Sequence, residues 1–357
     1  MEFALTDTQR AMQDSLDRML SAEGSAGGSN AWKVAVATGL PGLLVPEEHG
    51  GLGLGVMDAV LAAETLGRHV SPLPFIGTAV LAPLTLLGAA SGVQRARWLP
   101  AIAAGEAVVG VGVSGAAAGI REDFSVSVSG GKLSGEAVFV LDTAGAAAFI
   151  LADDSGGLYL VEAGAPGLDA VPLRTIDETR AVATLRLDRV PAEPLSSSDG
   201  PAALRRAIDA ARVAIAADTL GAASLMLERA VAYAKERRQF GRPIGSFQAV
   251  KHLCAGMAAE LEPGRSLVWH AGHAQDVLPD AARLAAHAKS YMAEAGQMIA
   301  RTAIEVHGGI GFTEELGLHR WFKRIGLNRQ LLGGPSRLRA EAAALRPIQP
   351  PVSEHAP

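Results

Sequence analysis

The period of the hydrophobic residues changes twice along this chain, and that change limits the fold more than any other feature of the sequence. Residues 1–105 repeat apolar side chains at helical spacing, residues 106–196 form short strand-like runs, and residues 197–348 return to helical spacing. A period near 3.6 is typical of helices buried on one face, and a period of 2 is typical of half-buried strands. The order therefore predicts an α+β protein with a helical first domain, a central β-domain and a helical bundle at the end.

One segment of the first zone has the length of a membrane span. Val70 to Val93 contains no charged residue and is long enough to cross a bilayer. It also contains three prolines, and a proline breaks a helix because it lacks an amide hydrogen and clashes with the preceding turn. Buried helices are therefore favoured over a membrane span, and we expect no membrane partner.

Turn signals separate the strand-like runs of the second zone. Residues 129–132 read Ser-Gly-Gly-Lys and residues 153–157 read Asp-Asp-Ser-Gly-Gly. Their regular spacing predicts a small antiparallel barrel or sandwich. The three or four long helices of the third zone are expected to form a bundle. The proline-rich tail, residues 349–357, is expected to be disordered.

Charge and cysteine content exclude several functional classes. A formal net charge of −5 gives no reason to expect nucleic acid or an anionic membrane as a partner. The single cysteine, Cys254, allows neither an internal disulfide nor a cysteine-based metal site and fits a reducing compartment. The first residues lack the basic and then apolar run of a signal peptide. We therefore expect a cytoplasmic protein without a metal centre.

A basic cluster lies where the first long helix of the third zone is predicted to end. Four cations fall close together there: Lys235, Arg237, Arg238 and Arg242. Cations favour helix C-termini because they complement the helix dipole. An arginine fork also matches the oxygens of a phosphate, so the same residues are typical of a diphosphate clamp. The residues alone leave both interpretations open and favour the simpler one.

A second stretch, Ile304 to Thr313, places three glycines directly after a predicted helix. A glycine C-cap followed by a turn explains this pattern. A glycine loop that lets the backbone approach a nucleotide closely also explains it. The stretch lacks the preceding strand of a dinucleotide-binding fingerprint, so that motif is excluded.

Together, these two stretches resemble the acyl-CoA dehydrogenase family. The pattern Tyr-x3-Arg-x2-Phe-Gly-x6-Gln is present from Tyr233 to Gln248, and a His-Gly-Gly-x-Gly-Phe loop is present from His307 to Phe312. Residues 44–53 and 97–106 resemble the helical N-terminal domain of the family. The likeness covers nearly the whole chain.

The resemblance implies a helical N-terminal domain, a central β-domain and a C-terminal four-helix bundle, with FAD bound non-covalently and an acyl-CoA thioester as substrate. In the family's reaction a carboxylate removes the α-proton while the flavin takes the β-hydride. In family tetramers FAD lies across a dimer interface, so part of each site comes from the neighbouring subunit. The residues matched to that part are Arg237, Phe240, Gln248, Glu305, Gly308 and Gly309.

The positions that hold the catalytic base in the family carry no carboxylate here. The common Tyr-Glu-Gly-Thr-Ser stretch is matched by Leu-Gly-Gly-Pro-Ser at 332–336, which places Gly333 at the glutamate. Isovaleryl-CoA-type members carry the base on the first bundle helix, where the match is Ala211. Asp209 and Asp218 lie nearby, and we expect them on a solvated helix face rather than in the role of a base.

Three further features depart from the family pattern. Residues 113–119 and 139–141 do not keep the β-domain motifs that touch the flavin ring. Glu305 replaces a glutamine, and a carboxylate about 4 Å from a phosphate charge costs roughly 4 kcal/mol at an effective dielectric of 20. That side chain must therefore swing away, pair with an arginine or mark a changed site. Pro263 interrupts the second bundle helix, where we expect a kink.

Three functions are compatible with these residues. The first is a subunit without the catalytic glutamate in a heteromeric acyl-CoA dehydrogenase, paired with a second such chain as in heterotetramers of actinobacterial steroid catabolism. The second is a self-sufficient, self-associating enzyme with an atypical base, and the third is a flavin-free binding or structural protein. Gly333 and Ala211 argue against the second. Arg237, with the glycine loop, argues against the third.

Overall fold

Helices fill the first and last parts of the computed structural model, and strands fill the middle. The structure describes residues 4–23, 31–113, 125–195 and 199–345, so the predicted disordered tail lies outside the described residues. The order of the elements confirms the α+β class and the acyl-CoA dehydrogenase-like fold expected from the sequence.

Five α-helices of the first zone are described, together with one π-helix, Ile76–Leu81. Their bounds are α1 Asp7–Glu23, α2 Ala31–Ala37, α3 Val56–Arg68, α4 Ala82–Ala89 and α5 Gly92–Ala103. The apolar segment Val70 to Val93 forms the π-helix and α4, most of whose residues are buried within the protein. The two elements follow each other without a gap and form one apolar helix, Ile76–Ala89, which begins after Pro72 and Pro74 and is shorter than the roughly 20 residues that a membrane span needs.

The described strands of the middle zone form one eight-stranded sheet. Their bounds are β1 Val108–Gly112, β2 Val126–Ser129, β3 Lys132–Leu141, β4 Ala146–Ala152, β5 Leu158–Glu162, β6 Leu168–Pro172, β7 Val182–Pro191 and β8 Glu193–Pro194. The order is β6-β7-β3-β1-β4-β5-β8, with β2 paired to β3. Neighbours are antiparallel except β1 and β4, which are parallel. That pair departs from the antiparallel arrangement that the turn signals predicted, because a crossover rather than a hairpin joins the two strands.

The third zone begins with a 37-residue helix, α6 Gly200–Glu236, and a two-stranded hairpin, β9 Arg238–Gln239 with β10 Arg242–Pro243. The helices that follow are α7 Gln248–Val277, α8 Ala281–His307, α9 His319–Gln330 and α10 Pro335–Ala344. By length and composition α6 could cross a membrane, but 89% of its most apolar window is buried in the protein. Such burial is typical of a core helix.

Helices α3 and α6 touch backbone to backbone at two glycines. A Cβ atom added to Gly67 would lie 1.9 Å from the carbonyl oxygen of Asp218, and one added to Gly221 would lie 1.8 Å from that of Glu64. No side chain fits at either position. The helical N-terminal zone and the bundle are therefore packed directly on each other through these glycines.

Pro263 does not interrupt α7, which continues from Gln248 to Val277. The expected interruption of this helix is therefore wrong, whereas the expected kink at Pro263 stays a prediction. The Tyr291 hydroxyl of α8 donates to the carbonyl oxygen of Glu260 at 3.1 Å, in the turn before the proline. This contact ties α8 to the turn of α7 that precedes Pro263.

A buried ionic junction centred on Arg324 joins all three zones. The guanidinium donates through Nε to Asp177 at 2.7 Å, through Nη1 to Asp218 at 3.0 Å and through Nη2 to the carbonyl oxygen of Ser71 at 2.8 Å. Asn328 donates to the other oxygen of Asp218 at 2.6 Å. Asp218 is 2% exposed, so its expected place on a solvated face is wrong. The expectation failed because α6 is buried around much of its circumference, whereas most surface helices are buried on one face.

We expect Arg324→Met to lower the free energy of unfolding by about 3–5 kcal/mol, because it leaves the buried carboxylate of Asp177 without its cation, while Asp218 keeps Arg180 at 2.8 Å. Arg320→Met, an exposed position on the same helix, is the control and should change the free energy by less than about 0.5 kcal/mol. Urea unfolding of both variants measures the difference. Equal losses would show that the junction does not hold the zones together.

Candidate functional site

A ring stack brings the two motifs of the third zone together. The rings of Tyr233, near the end of α6, and His307, at the end of α8, lie 4.6 Å apart between centroids and 28° from parallel. The His307 ring is buried, and its Nδ1 lies 2.7 Å from the carbonyl oxygen of Ala303. Burial lowers the pKa of His307. The basic cluster and the glycine loop therefore share one surface, called the cofactor end below: residues 233–248 and 304–313.

The hairpin that follows α6 presents an aromatic side chain to solvent. Gln239 pairs with Arg242, so Phe240 and Gly241 form a two-residue turn with φ angles of 51° and 78°. Positive φ at both turn positions is typical of a type I′ turn, which rarely tolerates a bulky residue. Phe240 is 91% exposed and meets the ring of Phe247 edge-on at 6.1 Å. A strained and exposed phenylalanine indicates a surface that meets another molecule.

Of the arginines in the basic cluster, Arg237 is the one whose side chain has no partner among the described residues. It caps the C-terminus of α6 with its backbone, while its exposed side chain has no hydrogen bond or ion pair with any described residue. Arg238 donates to the carbonyl oxygen of Gly241 at 3.1 Å, and Arg242 lies 4.1 Å from the ring centroid of Phe247. A guanidinium without an internal partner is available to an anionic ligand such as a diphosphate.

The glycine loop leaves room for a ligand at its surface. Gly308 ends α8 at a φ of 66°, and its amide donates to the carbonyl oxygens of Ile304 and Glu305. A Cβ atom added to Gly308 or Gly309 would meet no atom within 4 Å. The open backbone, with the free Arg237, fits a dinucleotide such as FAD. The exposed carboxylate of Glu305, which has no described partner, does not fit its phosphates.

Gln248 and Phe240 complete the residues matched to the cofactor. Gln248 is the first residue of α7, and its exposed amide lies 3.0 Å from Nε2 of His252. All the matched positions thus lie at the cofactor end with exposed side chains or open backbone. Within the part of the chain that the structure describes, no group of three or more His, Cys, Asp or Glu side chains could hold a metal ion.

The two positions matched to the catalytic base flank one buried residue, Arg212. Its Nε donates to the carbonyl oxygen of Leu332 at 3.0 Å, and a Cβ atom at Gly333 would lie 3.8 Å from its Nη2. Ala211 precedes it on α6 and is fully buried. No residue from 331 to 336 carries a carboxylate. The structure therefore brings both base positions to one place and supplies neither with a base.

The carboxylates closest to this place are held by Arg212. Its Nη1 donates to Asp209 at 3.1 Å and to Glu341 at 3.0 Å, and its Nη2 donates to the second oxygen of Glu341 at 3.0 Å. Asp209 is 3% exposed, so its expected solvated position is wrong. Burial raises the pKa of Asp209 to about 6. Asp209 is therefore shielded from solvent and paired with Arg212, the residue that also binds the carbonyl oxygen of Leu332.

A buried lysine behind the same loop was missed from the sequence. Lys289 of α8 is 1% exposed, and its Nζ has no hydrogen-bond partner among the described residues. Burial, together with the charges of Arg212 and Arg329, lowers the pKa of Lys289 to about 7. Helical spacing could have found it, because Ala285 and Met292 lie four residues before and three after it on the buried face.

Residues 139–141 of the β-domain carry no polar side chain for the flavin-ring contacts implied by the resemblance. Val140 and Leu141 are buried in the protein core, and Phe139 is 39% exposed with a φ of 54°. Of residues 113–119, the second stretch matched to the ring, only Val113 is described, and it is buried as well. The polar ring contacts of the family motif therefore have no counterpart in residues 139–141.

Comparison with known proteins agrees with this geometry. Residues 6–106 match the acyl-CoA dehydrogenase N-terminal domain, and residues 198–344 match the C-terminal domain. The chain is 36% identical over 298 residues to acyl-CoA dehydrogenase IpdE2 of Mycobacterium tuberculosis, covering 83% of this chain and 80% of the relative. This protein therefore belongs to the acyl-CoA dehydrogenase family, whose members are FAD-binding oxidoreductases.

Two solved structures share the fold over almost the full length. One is the Tcur3481-Tcur3483 steroid ACAD G363A variant, with a TM-score of 0.85, 31% identity and coverage of 95% of this chain and 97% of that one. The other is the ChsE4-ChsE5 complex from Mycobacterium tuberculosis, with a TM-score of 0.87, 25% identity and coverage of 98% and 100%.

The buried amine of Lys289 sets a pH dependence of stability. Its pKa is about 7 in the folded chain, against 10.5 for a free lysine side chain. Between these pH values the unfolded chain binds a proton that the folded chain does not, so stability rises with pH across this window. We expect Lys289→Met to raise the melting temperature at pH 7 and to flatten the rise between pH 7 and 10. Lys251→Met, at an exposed position of α7, should leave the profile unchanged.

Thermal melts across that pH range measure both variants against the wild type. A Lys289→Met profile parallel to that of the wild type would show that the amine is charged in the folded protein.

Proposed function

We propose that this chain is the subunit of a heteromeric acyl-CoA dehydrogenase that lacks the catalytic base and completes the FAD site of a second, catalytic chain. The substrate of the assembly is an acyl-CoA thioester, whose α,β-dehydrogenation takes place in the partner's site. The alternatives, a self-sufficient enzyme and a flavin-free protein, each predict a different result in the experiments below.

The observation that carries the proposal is the contrast between two places along α6. At the first, Ala211 and Gly333 offer no carboxylate, and Arg212 holds the acids beside them. At the C-terminus of the helix, Arg237 is free and the glycine loop is open. Ala211 and Arg237 are 26 residues apart, or about 39 Å at 1.5 Å per residue. The cofactor end therefore lies too far from this chain's own base position for its side chains to act there.

The residues at the cofactor end would hold FAD through its diphosphate and adenine half. Arg237 would donate to phosphate oxygens, and the open surface at Gly308 and Gly309 would let the cofactor approach the backbone. Gln248 would add an amide at the start of α7. When bound, FAD supplies the acceptor for the β-hydride of the acyl group.

The relatives support a heteromeric role. The ChsE4-ChsE5 structure is a complex of two differently named chains, and the Tcur3481-Tcur3483 structure likewise carries two names. The latter is described as a steroid ACAD, so a steroid-derived acyl chain is the substrate class that this relative suggests for the assembly.

The isolated chain should oxidise acyl-CoA at least 10²-fold more slowly than the assembled complex, because a positioned general base typically contributes about 10²–10⁴-fold. Gly333→Glu should not restore turnover. Gly333 has a φ of 110°, and a Cβ atom there would lie 3.2 Å from Cδ2 of Leu338, so a glutamate would be strained. Gly333→Ala is the control for that strain.

Turnover is measured with an artificial electron acceptor, which replaces the physiological one. Rapid turnover by the pure chain would favour the self-sufficient enzyme and overturn the proposal.

Arg237→Ala should weaken FAD binding by the assembled complex about ten- to a hundredfold, because a hydrogen bond to a charged group contributes roughly 1.5–3 kcal/mol. Arg238→Ala and Arg242→Ala are matched controls, since a backbone carbonyl and the Phe247 ring already occupy those cations. FAD titration followed by flavin fluorescence measures all three. If Arg237 serves only as a helix-end cation, its loss costs under about 1 kcal/mol of stability and leaves FAD affinity unchanged.

A further inference from the structure

Two buried cations beside the base position lack a partner. Nζ of Lys289 and Nε of Arg329 are buried without a hydrogen bond, and neither side chain forms an ion pair with a described residue. Arg180 also has buried nitrogens without a hydrogen bond, but it pairs with Asp218 at 2.8 Å. Lys289 is 1% exposed. A buried polar group without a protein partner is costly, and proteins commonly satisfy it with water or a bound ion.

Lys289 lies at the level of the base position because α6 and α8 run side by side. Thr219 of α6 contacts Gly296 of α8, where an added Cβ atom would lie 2.5 Å from Cγ2 of Thr219. The two helices also meet at their C-terminal ends in the ring stack of the cofactor end, so they run in the same direction. Arg212 and Lys289 each precede the Thr219–Gly296 contact by seven residues, about two turns, and therefore lie at one level.

Arg329 lies close to that level on α9. Nδ2 of Asn328, the residue before it, donates to Oγ1 of Thr219 at 3.1 Å. Four residues later, the carbonyl oxygen of Leu332 accepts from Nε of Arg212 at 3.0 Å. Helix α9 therefore runs antiparallel to α6, and Arg329 lies between these two contacts. The two unpaired cations are thus near each other on neighbouring helices.

The acids beside the base position do not neutralise these cations. Among the described residues, Arg212 forms ion pairs with Asp209 at 3.1 Å and with Glu341 at 3.0 Å. Residues 331–336, which Arg212 also contacts, carry no ionisable side chain. No acid of this cluster is therefore left for the two unpaired cations.

Like charges act on the amine of Lys289. Burial, together with the charges of Arg212 and Arg329, lowers the pKa of Lys289 to about 7. An anion at this place would favour the charged amine and draw a proton onto it. Arg329 is only half-buried, so the place opens to solvent on the side of α9.

We propose that Lys289 and Arg329 bind a small oxyanion between α8 and α9, next to residues 331–336. An ammonium group supplies three donors and a guanidinium supplies a fixed fork, and both are suited to the oxygens of phosphate, sulfate or a carboxylate. The anion neutralises both cations and stabilises the loop at the base position. This site involves neither FAD nor a partner chain, so it goes beyond the proposed function.

Sulfate is the probe, because it stays fully ionised near neutral pH. Isothermal titration calorimetry of the purified full chain, with sulfate replacing chloride at constant ionic strength, should show one sulfate bound per chain. The titration is repeated at about pH 7.5 in two buffers of different ionisation enthalpy. It should show the uptake of up to about one proton per sulfate, because the anion favours the charged form of Lys289.

Lys289→Met should weaken sulfate binding about tenfold or more and abolish the proton uptake, because it removes a charged donor. Arg329→Met should weaken binding by a similar factor, and its half-buried position makes it the second variant if Lys289→Met does not fold. Lys251→Met and Arg320→Met, at exposed positions of α7 and α9, are the matched controls and should bind sulfate like the wild type.

Hydrogen exchange gives a readout at the loop itself. Sulfate should slow the exchange of residues 331–336 in the wild type and leave it unchanged in Lys289→Met. Acetate, titrated in the same way, distinguishes a carboxylate from a tetrahedral oxyanion as the preferred ligand. A wild-type chain that binds neither anion would overturn the proposal, and so would equal sulfate binding by the wild type and both variants. Either result leaves the proposed function standing.

Discussion

The burial of α6 is the constraint on which the rest of the structure depends. This helix passes through the whole bundle, with the base position, Ala211, at its twelfth residue, the Arg324 junction at its middle and the cofactor end at its C-terminus. Glycines at 67 and 221 let α3 lie directly against it. Because a helix is rigid and rises 1.5 Å per residue, it fixes the distance between the base position and the cofactor end. A substitution on α6 therefore acts at a place in the fold that its position along the helix defines.

Two buried arginines decide what the interior of this protein can do chemically. Arg324 forms ion pairs with Asp177 and Asp218, and Arg212 forms ion pairs with Asp209 and Glu341. Removing one partner from a buried ion pair is costly, so these carboxylates are committed to structure. The ion pairs of Arg212 with Asp209 and Glu341 stabilise the fold, and they bind the described carboxylates that lie beside the base position. This explains how a chain can keep the shape of an enzyme while its own base position is empty.

Much of the fold could be predicted from the sequence, because the spacing of apolar residues and the turn residues are local signals of helices and strands. The Thr6–Gln9 capping box is present, with both reciprocal hydrogen bonds formed. The surroundings of the charged residues could not be predicted. Asp209 and Asp218 were expected in solvent because a one-dimensional pattern cannot show that α6 is enclosed on several sides. The parallel pairing of β1 with β4 depends on a crossover that strand patterns do not encode.

Counting the flavins in the native assembly tests the central claim most directly. If each chain of this type supplies only the part of a site that faces a neighbour, an assembly of two such chains and two catalytic chains holds two complete sites. Native mass spectrometry, with flavin absorbance against protein mass, should then find two different chains in equal number and about one FAD for every two subunits. A tetramer made of this chain alone, with one tightly bound FAD per subunit, would contradict the account.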